Sequence, residues 1–264
     1  RVLITGGLGF LGTHLVSFLK DFDIVVFDKL PKLGAEPEGV SCIQGNIMST
    51  QDVGNVFKKY GPFETVYHLA AEMPNKAVPN RLLWKTNVSG TINVVKEAVK
   101  NKTKSFVFTS SNVAYGIPEK LPVKEDDPLD SLEIYGKSKA KAEKELAIFK
   151  DKISIQVFRC PVMSGVGRLG LQSILFEFIS ESKNVYVLGV GSNKYQFVDA
   201  DDVCAALKLA SLQEGFDVYN IGADEALSLR QIYEKIIDYA GSSSKIISLP
   251  NKPALITLAI LEKL

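Results

Sequence analysis

Tyr135 and Lys139 lie one helical turn apart in the run Tyr135-Gly136-Lys137-Ser138-Lys139. On a helix, positions i and i+4 share a face, so the phenol and the ammonium point the same way. A phenol titrates near pH 10 and is a poor base at neutrality. A cation about 4 Å away, at an effective dielectric near 20, is worth roughly 4 kcal/mol, or about three pKa units. Beside Lys139, Tyr135 becomes a general base and acid that can work near neutral pH. A second hydroxyl belongs to the same chemistry. The run 105–108 ends in Thr109-Ser110-Ser111, and a hydroxyl at the carboxyl end of a buried parallel strand faces the crevice where ligands bind. Ser111 can hydrogen-bond a substrate oxygen there and share the proton path with Tyr135. Other chemistries have little material. The 2 histidines, His14 and His68, and the 3 scattered cysteines, Cys42, Cys160 and Cys204, form neither a Ser-His-Asp set nor a metal-ligand spacing. No metal is expected. His68 precedes the end of its strand and is expected to be a hydrogen-bonded packing residue.

A second constellation reads as a phosphate cradle. The apolar run 1–5 passes into Gly6-Gly7-Leu8-Gly9-Phe10-Leu11-Gly12, and a helix is expected over 14–20. Gly6 permits the tight turn off the strand, Gly9 lets backbone amides approach a pyrophosphate, and Gly12 lets the helix pack closely on the sheet. The N-terminus of that helix offers N–H groups and partial positive charge to phosphates, and Phe10 and Leu11, between the glycines, are counted among the cofactor-binding residues. Asp28 closes the next run, 24–27. A carboxylate there accepts hydrogen bonds from adenosine ribose hydroxyls and repels a 2′-phosphate, which favours NAD. Lys29 and Lys32 follow closely and keep NADP as the alternative cofactor. Asn46-Ile47, after the third run, can bracket the adenine, and Leu69 with the small Ala70 and Ala71 lets the cofactor pass close by.

The elements that must position these groups alternate in type. Continuous apolar runs at 1–5, 24–27, 40–43, 65–69, 105–109 and 154–158 suit parallel strands buried on both faces. Helical periods separate them. Over 84–100, Trp84, Val88, Thr91, Ile92, Val95 and Val99 fall on one face, and a second helix over 133–150 carries Tyr135 and Lys139. This alternation predicts an α/β fold, a Rossmann-type doubly wound parallel sheet. Residues 1–159 form the dinucleotide-binding core with the catalytic helix. Residues 160–264, with glycine loops at Gly165, Gly167, Gly170, Gly189 and Gly191, form mainly a smaller substrate-binding lobe, with some segments returning to the core. Ser228 is expected to cap a helix there.

Composition sets outer bounds. The 264 residues are 46% hydrophobic and 23% charged with net charge +1, so no global field points to nucleic acid or to an acidic membrane. The apolar tract 253–261 is far short of the ~20 residues that span a bilayer. Cysteines without a disulfide framework suit a reducing compartment. The chain opens on a strand without Met and stops in mid-pattern at Leu264. No signal peptide, a few missing leading residues and a cytoplasmic location are expected.

Taken together the motifs resemble the extended short-chain dehydrogenase/reductases, the group of NAD-dependent nucleotide-sugar epimerases and dehydratases. The matching pieces are 5–12, Asp28, His68-Leu69-Ala70-Ala71, Thr86-Asn87-Val88-Ser89-Gly90-Thr91, Thr109-Ser110-Ser111, Tyr135 with Lys139, and Tyr219-Asn220-Ile221-Gly222. The resemblance implies a catalytic set of Ser111, Tyr135 and Lys139, with Lys139 also on the nicotinamide ribose. It implies that Asn87 supports the active site, and that a homodimer forms through the helices at 84–100 and 133–150. It implies a nucleotide-sugar substrate, altered at a hydroxyl carbon through a keto intermediate. Candidate substrate contacts are Glu72, Ser110, Ser111, Arg159 and Tyr195. Three departures bear on substrate. Asn112 and Val113 stand where the group's dehydratases carry an Asp-Glu pair, which disfavours elimination. Val162 replaces an Asn of the sugar epimerases, and Tyr195, beside Lys194, replaces an Arg that grips diphosphate. Arg159-Cys160-Pro161 with Gly165 and Gly167 also resembles relatives that act on steroid-like or flavonoid-like alcohols. A dehydrogenase/reductase of such a non-nucleotide compound, or a non-catalytic NAD(P)-binding regulator, is the alternative.

Overall fold

The computed structural model describes residues 1–31, 38–167 and 171–250. Lys32, Gly170 and the tract 253–261 lie outside the described residues. The chain divides into two compact units, one of Arg1–Met163 with Val198–Gly222, the other of Ser164–Phe197 with the chain from Ala223 onward.

The first unit is built on β1 (Val2–Thr5), β2 (Ile24–Asp28), β3 (Val40–Gln44), β4 (Thr65–His68), β5 (Ser105–Ser111), β6 (Ser154–Cys160) and β7 (Phe216–Asn220). These make a 7-stranded sheet in the order β7-β6-β5-β4-β1-β2-β3, with every pairing parallel. The order turns back on itself between β4 and β1, the switch point at which such sheets bind ligands. Side chains alternate across the strands and feed two cores. Leu3, Val25, Val66, Phe106 and Val157 pack with α2 (Thr50–Tyr60), α4 (Thr91–Lys100) and α5 (Ile134–Ala147). Val2, Ile4, Val26, Tyr67 and Val107 pack on the other face with α1 (Phe10–Phe18) and α6 (Ala200–Ala210). The central strands, covered on both sides, have no use for polar alternation and read as apolar runs, whereas the edge strands β3 and β7 are only half-buried and β7 carries the exposed Asp217.

Two helices differ from their sequence expectation. The helix expected over 14–20 starts at Phe10, because Gly9, in extended conformation, already serves as its N-cap. The helix expected over 84–100 is three pieces: α3 (Asn80–Trp84), a π-helical turn over Lys85–Gly90, and α4. The wide turn buries Thr86, Asn87 and Val88 together. Of the expected apolar stripe, Val88, Thr91 and Val95 are core residues of this same chain, while Trp84, Ile92 and Val99 are half-buried.

In the second unit, strands Val185–Leu188 and Ile246–Leu249 pair in parallel. Lys194–Tyr195 pairs antiparallel with Leu227–Ser228. Helix Leu229–Tyr239 opens with a capping box: Ser228 Oγ accepts from Gln231 N, and the Gln231 side chain accepts from Ser228 N. This satisfies two of the amide groups that a helix start leaves over.

Candidate active site

The turn from β1 into α1 is fixed by what a side chain would strike. Gly6 has φ +73°, and a Cβ there would lie 2.7 Å from Ala70 N and Cα. A Cβ on Gly12 would lie 2.4 Å from the Gly6 carbonyl oxygen. Only glycine lets α1, the β1 turn and the β4 loop meet this closely. The amides of Leu11 and Gly12 precede the first intrahelical bond, Thr13 N to Gly9 O at 3.0 Å, and belong to the donors that a helix start leaves over, where its field is positive.

A cavity of about 300 Å³ opens beside this turn. Gly6, Gly9, Asp28, Asn46, Ile47, Leu69, Ala70, Ala71 and Glu72 line it, joined by Phe27, Lys29, Leu30, Gly45, Met48, Leu82 and Thr86. Asp28 is buried, and its two carboxylate oxygens accept from Leu8 N and from Leu30 N, each at 3.0 Å. These bonds lock the acid at the rim of the cavity. The glycine wall, the helix start and a fixed carboxylate at the end of β2 suit the phosphates and adenosine of a dinucleotide. Phe10, Leu11, Gly12, Asn87, Tyr135 and Lys139 do not line the cavity. Leu11 packs in the core, and Asn87 braces the loop behind it. Asn87 Oδ1 accepts from Glu72 N at 2.7 Å, and Nδ2 donates to Glu72 O at 3.1 Å and to Ser138 Oγ at 3.0 Å. Ser138 Oγ donates in turn to Tyr135 O at 2.7 Å, so one amide joins the cavity wall to the helix that carries Tyr135.

Tyr135 and Lys139 occupy the face of α5 that is turned to β5. Lys139 Nζ donates to Thr109 O at 2.8 Å and lies 5.9 Å from the Tyr135 ring centroid. Burial pushes the Lys139 pKa down to about 8, with Cys160 and Glu143 opposing the fall. At pH 7 most of the population still carries the charge that favours a Tyr135 phenolate. Ser111 ends β5 and caps the single turn Asn112–Tyr115, its Oγ accepting from Val113 N at 3.3 Å. Gly136, next to Tyr135, abuts that turn, since a Cβ there would sit 2.5 Å from Val113 O. Lys139 thus reaches the end of β5 two residues before Ser111, and the start of α5, which carries Tyr135, abuts the turn that follows Ser111.

His68 is held apart from this chemistry. Thr91 Oγ1 donates to Asn87 O at 2.7 Å and so accepts from His68 Nε2 at 2.9 Å; His68 Nδ1 then accepts from Thr5 Oγ1 at 2.6 Å. The network assigns the neutral Nε2–H tautomer. Burial drives the His68 pKa down to about 3, with Lys139 adding to the fall.

A family model described as the NAD dependent epimerase/dehydratase family matches residues 2–222. The chain belongs to this family. It is an NAD-dependent enzyme of the extended short-chain dehydrogenase/reductase type, and NAD is its cofactor. An uncharacterised protein of Sinorhizobium fredii is 34% identical over 95% of the chain, which spans 63% of that relative's length. The N-acetyl-alpha-D-glucosaminyl-diphospho-ditrans,octacis-undecaprenol 4-epimerase of Escherichia coli O157:H7 is 31% identical, covering 89% of this chain and 71% of its own. Among solved structures, the UDP-glucose 4-epimerase of Thermotoga maritima with UDP-glucose superposes with a TM-score of 0.82 at 25% identity, over 95% of this chain and 86% of that one.

The remaining candidate residues of this epimerase-family chain lie in other settings. Arg159 and Ser110 belong to a buried polar network. Arg159 Nη2 pairs with Glu143 Oε2 at 2.7 Å, and Ser110 Oγ donates to Glu143 Oε1. Arg159 Nη1 donates to Tyr115 Oη at 2.5 Å and to Glu125 O at 2.8 Å. Every guanidinium nitrogen is thus engaged within the protein. The Glu72 carboxylate pairs with Lys29 at 2.5 Å, and both residues line the cavity. Tyr195 lies in the second unit, exposed and paired with Leu227. The sequence reading missed Glu143 and Tyr115. Glu143 was within reach, because it continues the series Tyr135, Lys139 at the same spacing. Among the described residues no helix is long and apolar enough to cross a membrane.

Proposed function

We propose that the enzyme interconverts the epimers of a nucleotide sugar, a UDP-linked hexose, through a 4-keto intermediate. The observation that carries this reading is the placement of Tyr135 and buried Lys139 on one helix face against the end of β5, next to Ser111, in a chain of the epimerase family. NAD bound in the Gly6–Asp28 cradle supplies the acceptance and return of hydride. Ser111 hydrogen-bonds the sugar hydroxyl that reacts. Tyr135 takes its proton as the carbonyl forms and gives it back when the carbonyl is reduced. Lys139 keeps the phenolate accessible by its charge and reaches the nicotinamide ribose. Exposed Asn112 and half-exposed Val113 follow Ser111, so no carboxylate there protonates a leaving hydroxyl, which supports epimerisation over dehydration. The named relatives act on or hold sugars carried on a diphosphate, the chemistry common to UDP-sugars and polyprenyl diphosphate sugars. Our reading commits to the first. We also assign the enzyme to the cytoplasm, on 3 scattered cysteines whose spacing offers no disulfide framework, and assign it a homodimer through α4 and α5.

The test uses purified protein with NAD and, in separate arms, UDP-glucose, UDP-N-acetylglucosamine and a short-chain polyprenyl diphosphate N-acetylglucosamine, read by NMR of the sugar. Conversion of a UDP-sugar to its 4-epimer is expected, without build-up of NADH. Tyr135→Phe should lower kcat by about 10²–10⁴-fold and leave NAD affinity nearly unchanged. Conversion of the polyprenyl substrate alone, or near-normal turnover by Tyr135→Phe, would overturn the assignment.

A further inference from the structure

We propose that Glu143 and Arg159 act as positioning residues. With Lys139 they form a buried row of alternating charge that keeps Lys139 a cation beside Tyr135 and fixes the end of β5 against the catalytic helix. The proposal rests on the proton-transfer role given above to Tyr135 and Lys139. Tyr135, Lys139 and Glu143 are spaced i, i+4, i+8 and so fall on one face of α5. The Glu143 and Arg159 side chains are 5% and 6% exposed. Glu143 accepts from Ser110 Oγ at Oε1, from Arg159 Nε at 3.3 Å (Oε1) and 3.1 Å (Oε2), and from Nη2 at 2.7 Å (Oε2). Lys139 binds the carbonyl of Thr109, one residue before Ser110. Helix and strand are therefore fastened at two successive residues just before Ser111.

The same cluster ties the neighbouring strand ends. Arg159 lies opposite Ser110 on one side and Asn220 on the other. Tyr115 Oη accepts from Arg159 and donates to Asn220 Oδ1 at 2.7 Å. One ion pair thus links β5, β6, β7, α5 and the turn after Ser111. Such a pair is weak support for stability, since two well-packed apolar residues often serve as well. Its charge order is the more informative feature. Lys139 and Arg159 are cations with Glu143 between them, for a net charge of one. The other titratable groups facing Lys139 are Tyr135 on its own helix, His68 on β4 and Cys160 on β6. Burial keeps His68 neutral and pushes the Cys160 thiol up to about 12. Glu143 is the carboxylate that favours the Lys139 charge against the cost of burial.

The two partners should then move Lys139 in opposite directions. Glu143→Gln keeps the shape and leaves two uncompensated cations, so Lys139 should lose its proton at lower pH. Arg159→Met frees the carboxylate to act on Lys139 alone, so Lys139 should hold its proton to higher pH. The double variant restores the net charge and should return near wild type. The readout is the pH titration of the Lys139 side chain by NMR in protein carrying ¹³C,¹⁵N-lysine, assigned by the signal lost in Lys139→Met. It needs no substrate, so failure of the epimerase reading would leave it intact. We expect a fall of about one unit or more in Glu143→Gln, a rise in Arg159→Met, and a double variant within about half a unit of wild type. Should a single variant not fold, Glu143→Asp, which keeps the charge and disturbs the packing, is compared with the double variant, and both should titrate near wild type. Shifts of one sign in both single variants, no shift at all, or a Glu143→Asp shift as large as that of Glu143→Gln would overturn the proposal.

Discussion

At the scale of single residues, surroundings decide roles more than residue type does. His68 is the chain's most familiar proton carrier by type, yet Phe106 and Phe108 flank its ring at 5.6 and 5.7 Å, and both of its nitrogens are spent on threonines. With a folded pKa of about 3 against an ordinary value of 6.5, it refuses a proton that the unfolded chain accepts. The unfolded state binds more protons below pH 6.5, so the stability tied to neutral His68 is complete above that value and is lost as pH falls toward 3. At pH 5 the loss is about 2 kcal/mol. Urea unfolding at pH 7 and pH 5 should show wild type losing about 2 kcal/mol more than His68→Gln. Equal losses in the two proteins would mean that His68 is protonated in the folded state or plays no part. The placement of Tyr135, Lys139 and Ser111 was legible because it depends on local spacing: one helical turn, and the end of one strand. Arg159 was legible as a charged residue at a strand end but not in its engagement. Its partners Glu143, Tyr115 and Glu125 lie elsewhere in the chain; helical spacing points to Glu143, but no periodicity announces Tyr115 or Glu125.

At the scale of elements, β1 to β6 announced themselves through apolar runs and the segment 84–100 through its period, while β7, with Asp217 in its middle and only half-buried, did not. The π-helical turn over Lys85–Gly90 did not, because a single widened turn leaves the apolar spacing on either side nearly intact. Its consequence is local and functional in position, as such turns often are. It buries Asn87 where its amide meets the backbone of Glu72, in the cavity wall, and Ser138, in α5. Asn87→Ala would leave Glu72 N and O and Ser138 short of partners in a buried place, at a cost of about 1–3 kcal/mol. We expect a fall in Tm of about 2–12 °C together with weaker NAD binding by calorimetry, since the cavity wall and the Tyr135 helix lose a shared brace. An unchanged Tm with unchanged NAD affinity would show that the loop and helix hold their places without it.

At the scale of the whole molecule, the proposed pairing of α4 and α5 meets a charge problem that the sequence pattern did not reveal. Much of the apolar stripe thought to serve a partner is used up inside the chain, with Val88, Thr91 and Val95 in its own core. What α4 and α5 leave exposed includes Lys96, Lys137, Lys141 and Lys144, relieved by the Lys141–Glu145 pair at 2.6 Å. A two-fold interface presents the same patch from both copies, so these lysines approach their own counterparts. Half-buried Ile92 and Val99 and exposed Ile148 supply the apolar contact, and the repulsion weakens it. Salt screens exposed charges beyond about 10 Å at 0.1 M and about 3 Å at 1 M. Dimerisation should therefore tighten as salt is added, the reverse of an interface held by ion pairs. Light scattering at tens of micromolar protein should show the mass rising toward that of a dimer between low and high sodium chloride. Lys137→Gln/Lys144→Gln should reach the dimer at the lower salt. A monomer mass at every salt concentration would rule out the homodimer, and a dimer that dissociates as salt rises would move the interface to another face.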